Sequence, residues 1–196
     1  MRLTAIVVLA ALAMPSHAEQ EKVARVTVIT YDRAQVPWFV MARAERVVEA
    51  AFAKVGIEIS WAKGEQAGEP RVADGQTLTV VFDSKAPLDA SPGAAGATYL
   101  GGYGDGNVHV FYDRIVWFKD RLHMPEFLGN VLAHELTHAL EGEARHSSEG
   151  LMKANWDILD HGKMARGALP FAAVDQELLR VRVQQKVPPP TVVSSR

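Results

Sequence analysis

Residues 130–140 read NVLAHELTHAL, and within them His134-Glu135-Leu136-Thr137-His138 places two histidines four positions apart. On an α-helix that interval is about one turn, so both imidazoles share a face. Each can then approach a single zinc ion at about 2.0–2.1 Å. Glu135 lies beside that face, where its carboxylate can contact a water without ligating the metal. The pattern is H-E-x-x-H. Val131, Leu132, Leu136, Ala139 and Leu140 give the segment apolar sides, and Glu135 is its only charge. A surface helix carries more Lys and Glu than this. Two histidines held merely by core hydrogen bonds are therefore the weaker reading. Pro125 opens the helix and Gly142 stops it, giving a span of about 125–141.

A catalytic zinc needs a third protein ligand and one open position. Downstream the chain runs EGEARHSSEGLM over 141–152. Gly142 lets the backbone reverse, and His146 can return to the metal through a short loop. His146 is the expected third ligand. Glu141, Glu143, Glu149 and His161 are the alternatives, Glu141 the weakest because it still belongs to the helix end. A zinc ion here would activate a water for attack on an amide carbonyl, with Glu135 as general base and later proton donor.

Taken together, His134–His138, a following Gly, a third His followed by Ser, and Gly150-Leu151-Met152 resemble the metzincin clan of zinc endopeptidases. The His146-Ser147 pair is similar to the matrixin branch. The resemblance implies a zincin-like catalytic domain, peptide or protein substrates, one catalytic Zn²⁺, and Met152 as the methionine of a turn beneath it. It also implies that a sheet-edge strand within 97–112 binds peptide in extended form. The clan places its Gly three and its third His six positions after the second His. Glu141 and Ala144 stand there in this chain, so Gly142 and His146 arrive late and the loop is longer.

Upstream, VARVTVITY (23–31) alternates apolar and polar residues, as a half-buried strand does. From Pro37 to Val55 apolar residues recur at helical spacing, and Gly56 follows as a cap. IEISW (57–61) and TLTVVFD (77–83) read as strands, with a polar, Gly-rich loop over 63–75 and an Ala-, Pro- and Gly-rich surface loop over 85–96. Short strands at 97–100 and 108–112 flank a Gly-rich turn, 101–106, which lacks the Lys-Ser/Thr of a phosphate loop. A short helix is expected over 115–121, an irregular stretch over 144–155, and a last helix over 172–186. The order predicts an α+β fold, a small mixed sheet packed on helices.

The first eighteen residues read as a cleavable signal peptide. A short positive start precedes a 3–14 apolar run, then Pro15 and small residues at 16 and 18. The expected organisation is a leader (1–18), one catalytic domain (19–186) and a Pro-rich tail (187–196). The protein is then secreted or periplasmic, a monomer without a membrane anchor after cleavage. The 196 residues are 48% hydrophobic and 22% charged, with a formal charge of −2, which suggests no nucleic-acid partner. There is no cysteine, so the fold rests on its core and its metal. The reading is thus an exported zinc metallopeptidase. The alternative is an exported zinc-bearing binding or structural protein with little turnover, in which the metal staples the fold.

Three weaker signals remain. Tyr99, Tyr103 and Tyr112 could each present a phenol to an oxyanion, but strand tyrosines more often pack structurally. His109 alternates with Val108 and Val110 and reads as structural. Near Trp156, Asp157 or Asp160 could orient a ligating imidazole. A solvated loop there is the equal alternative.

Overall fold

A computed structural model describes residues 23–64, 76–100, 107–118 and 120–186. The expected leader, the Pro-rich tail, the turn at 101–106 and nearly all of the 63–75 loop lie outside these residues.

The chain forms β1 (Ala24–Asp32), α1 (Trp38–Ala53), β2 (Ile57–Lys63), β3 (Gln76–Asp83), β4 (Gly96–Tyr99) and β5 (Asn107–Phe111). Then come α2 (Tyr112–Val116), a 3₁₀ turn (Arg121–His123), α3 (Met124–Glu141), α4 (Ile158–Met164) and α5 (Ala173–Lys186). The sheet runs β2-β1-β3-β5-β4. Its first four strands are parallel, and β4 is antiparallel to β5 at one edge. The architecture is α+β with a five-stranded mixed sheet.

Alternation decides which sheet face is covered. Val26 and Val28 of β1, Leu78 and Val80 of β3, and Val108 and Val110 of β5 are buried in one apolar cluster. The same cluster takes Val40, Ala44, Val48 and Phe52 from α1, a stripe at helical spacing. It also takes Leu128, Leu132, Leu136 and Leu140 from α3. Burying each such leucine contributes about 1.5–3 kcal/mol.

The helix α3 is buried on nearly every side, because it packs on α1, β4, β5 and α5. That accounts for its lack of surface charge. Gly129 permits the approach to α1, since a Cβ there would stand 2.8 Å from the Ala44 carbonyl oxygen and 2.5 Å from Val47 Cβ.

Two expectations are corrected. The helix placed at 115–121 begins earlier, at Tyr112, and ends at Val116; a separate 3₁₀ turn follows, where the Asp120 side chain accepts from the His123 N–H. The chain also forms α4, where the sequence pattern carries no clear helical signal. Asp157 accepts from the Leu159 and Asp160 N–H groups, and the Asp160 carboxylate accepts in return from the Asp157 N–H. This capping box has Asp where Glu or Gln is usual. No described helix is long and apolar enough to cross a membrane.

Candidate metal centre

His134 and His138 lie on one face of α3, as the helical interval requires. The helix ends at Gly142, whose φ of 71° is left-handed and whose N–H donates to the His138 carbonyl at 2.8 Å. The chain then turns back, bringing the His146 ring centroid to 5.3 Å from that of His134 and 5.0 Å from that of His138. One nitrogen from each ring lies within 4.8 Å of the other two.

The tautomers follow from what each ring touches. His134 Nδ1 stands 2.9 Å from the Leu151 carbonyl oxygen, and His138 Nδ1 stands 2.9 Å from that of Glu143. A carbonyl only accepts, so both Nδ1 atoms carry hydrogen. In the neutral rings both Nε2 atoms are then bare lone pairs. Yet the two Nε2 atoms face each other at 3.0 Å. Burial above all lowers the pKa of His134 to about 4, against the Leu151 carbonyl, which raises it; burial likewise lowers that of His138. Both shifts favour the neutral rings, and two facing Nε2 lone pairs repel unless a cation lies between them. Nitrogens ligating one tetrahedral ion at about 2.05 Å stand about 3.3 Å apart. The donor set fits, and the three histidines could hold a metal ion.

Glu135 is 8% exposed. Burial pushes its carboxyl up to about 7, opposed by a hydrogen bond from Thr98. The Thr98 hydroxyl stands 2.7 Å from Glu135 Oε2 and 2.9 Å from the Glu135 carbonyl oxygen. Strand register explains this contact: Gly96 and Thr98 pair with Val110 and Val108, whose side chains face the helices. The cavity in front of the histidines has a volume of about 740 Å³. Residues 91–98 line it on one side, with Phe127, Val131 and Trp156 among its other lining residues.

The alternatives for the third ligand are engaged elsewhere or lie outside the cluster. Glu141 accepts from Arg145 at 2.9 Å, and the Glu143 carboxylate pairs with Arg182. His161 lines the same cavity with its ring edge-on to Phe118 and Phe127, but does not join the three histidines. Glu149 is exposed and does not join the three histidines. Met152 is fully buried, in the turn whose Leu151 carbonyl holds His134.

The orienting groups differ from the carboxylates considered near Trp156. Asp157 and Asp160 cap α4 and pair with Lys153. The rings of His134 and His138 are oriented by backbone carbonyls, and the Trp156 indole N–H donates to the same Leu151 oxygen at 3.2 Å. His109 lies across the sheet from Thr98's face, with Nδ1 2.6 Å from Asp83 Oδ2 and its ring edge-on to Tyr99. Tyr99 and Tyr112 do not line the cavity, and Tyr103 lies outside the described residues.

The chain matches no protein-family model and no curated protein.

Proposed function

We propose that this chain is an exported zinc metallopeptidase of the zincin type, a divergent relative of the metzincins. The reading is carried by one observation: the Nε2 atoms of two buried imidazoles, each with its Nδ1 at a main-chain carbonyl, face each other across 3.0 Å, with a third histidine beside them. Three protein ligands suit a catalytic site, because the fourth position stays free. The Gly142 turn, His146-Ser147 and the buried Met152 support the likeness to metzincins.

In this reading His134, His138 and His146 hold the ion. A bound zinc ion supplies Lewis acidity toward a scissile carbonyl and lowers the pKa of water to about 7. Glu135 takes the proton of the attacking water and delivers it to the leaving nitrogen. Thr98 holds one carboxylate oxygen of Glu135, leaving Oε1 for the water. As the last strand of the sheet, β4 offers its outer edge to an extended peptide, which would lie along the cavity. The buried environment of Glu135 keeps it basic enough to accept a proton near neutral pH.

The test is peptide cleavage by the zinc-loaded wild type beside Glu135→Ala. Turnover should fall by at least about a thousandfold in the variant while zinc remains bound. Equal cleavage by both proteins would remove Glu135 from the mechanism. Zinc bound tightly by both, with no cleavage of any peptide or amide library, would favour a zinc-stapled binding protein.

A further inference from the structure

His146 comes to the centre from an irregular loop, and a loop ligand is placed only as well as its loop. Both of its neighbours are tied to one carboxylate. Arg145 Nη2 donates to Asp175 Oδ1 at 2.7 Å, and the Ser147 hydroxyl donates to the same oxygen at 2.6 Å. Arg145 Nη1 also donates to Ser147 Oγ at 3.2 Å, and Nη2 reaches Glu141 Oε1 at 2.9 Å. Asp175 is 0% exposed, and its Oδ2 accepts from the Ala172 N–H at 3.1 Å. The loop is thus clamped between the end of α3, through Glu141, and the first turn of α5, through Asp175.

Ser147 has a second anchor. Its N–H donates to the Met152 carbonyl at 2.8 Å, one residue from the Leu151 carbonyl that holds His134. The residues flanking His146 are therefore fixed to the same turn that fixes His134.

An ion pair built on a fully buried carboxylate is a poor way to gain stability, since dehydrating that carboxylate offsets much of the attraction. What it provides here is direction: a guanidinium and a hydroxyl on either side of one histidine, held by a single oxygen. We propose that Asp175 is the positioning residue for the third metal ligand, with Arg145 and Ser147 as its two arms. The clamp offsets the longer loop that brings His146 late in the chain. The proposal rests on the metallopeptidase reading of the three-histidine site.

The experiment measures zinc affinity by chelator competition and the visible spectrum of the Co²⁺-substituted protein. It compares wild type with Asp175→Asn, Ser147→Ala, His146→Ala and Leu179→Ala. Leu179 is a buried core residue of the same helix, so its truncation destabilises α5 without touching the clamp. Asp175→Asn should lose about ten- to a hundredfold in zinc affinity. Its Co²⁺ spectrum should shift toward that of His146→Ala. Ser147→Ala, which keeps the Arg145 arm, should move the same way by less, and it carries the test if Asp175→Asn does not fold. Leu179→Ala should lower the Tm while keeping wild-type affinity and spectrum. Wild-type affinity and spectrum in Asp175→Asn would overturn the proposal. So would a loss in Leu179→Ala that matches Asp175→Asn at equal loss of Tm. Undiminished zinc affinity in His146→Ala would instead bring down the metal-site reading beneath it.

Discussion

Replacing Glu135 with glutamine should alter how the metal-free protein responds to pH. Burial raises this carboxyl from 4.5 to about 7, with the Thr98 hydrogen bond opposing. In the unfolded chain it ionises near its ordinary value. Between these two values the native state keeps a proton that the unfolded state has released, so stability falls as pH rises. At 1.36 kcal/mol per unit the loss totals about 3 kcal/mol once the pH exceeds about 7. His134 contributes with the opposite sign. Its pKa is lowered from 6.5 to about 4, so stability is lost as pH falls through that window. Subtracting the two proteins isolates the Glu135 contribution, because His134 is common to both. The assay is urea unfolding in the presence of a chelator, from about pH 4.5 to 8. The difference should change by about 3 kcal/mol across the window, the glutamine variant gaining on the wild type toward high pH. Parallel stability curves would show that Glu135 keeps an ordinary carboxyl pKa in the folded protein. A bound divalent cation favours the ionised carboxylate, so zinc should flatten the wild-type dependence.

Three further outcomes are expected. Thr98→Val removes the hydroxyl that orients Glu135, and should lower turnover about tenfold with zinc content unchanged, as kinetics beside elemental analysis would show. In Gly96→Ala the new Cβ would stand 2.8 Å from Glu135 Cγ and 3.1 Å from its Oε1; the displaced base should cost about a hundredfold in kcat while zinc affinity holds. Asn130→Ala removes an amide that donates to the Glu126 and Gly167 carbonyls and accepts from the Leu169 N–H. Its urea midpoint should fall by the equivalent of about 2–3 kcal/mol, with zinc stoichiometry unchanged.

The parts of the fold legible in the sequence are those whose signals are local. Helix α3 shows itself through Pro125, Gly142 and, over residues 130–140, an apolar pattern with one charge, and β1, α1, β2 and β3 through periodicity and flanking turns. Helix α4 escaped because its outward residues, Ile158 and Leu159, are apolar and exposed, while Asp160 is buried within its capping box. No burial stripe marks it. The three histidines were legible because helical geometry fixes two of them and the Gly142 turn leads to the third.

Thr98 was not legible as a site residue. A threonine in a short strand carries no chemical mark, and its role arises from the β4–β5 register that turns it toward Glu135. The same holds for Asp175, which meets Arg145 and Ser147 only because α5 packs on α3. The orienting partners of His134 and His138 are main-chain carbonyls of Leu151 and Glu143, and any residue type supplies a carbonyl.

A three-histidine metal centre on α3 is tested by the zinc content of the purified protein after reconstitution and removal of excess metal, wild type beside His146→Ala. The account predicts about one zinc ion per wild-type chain and a sharply reduced content in the variant. A wild-type protein that binds no zinc would contradict it, leaving α3 with two facing imidazoles and no cation to account for them.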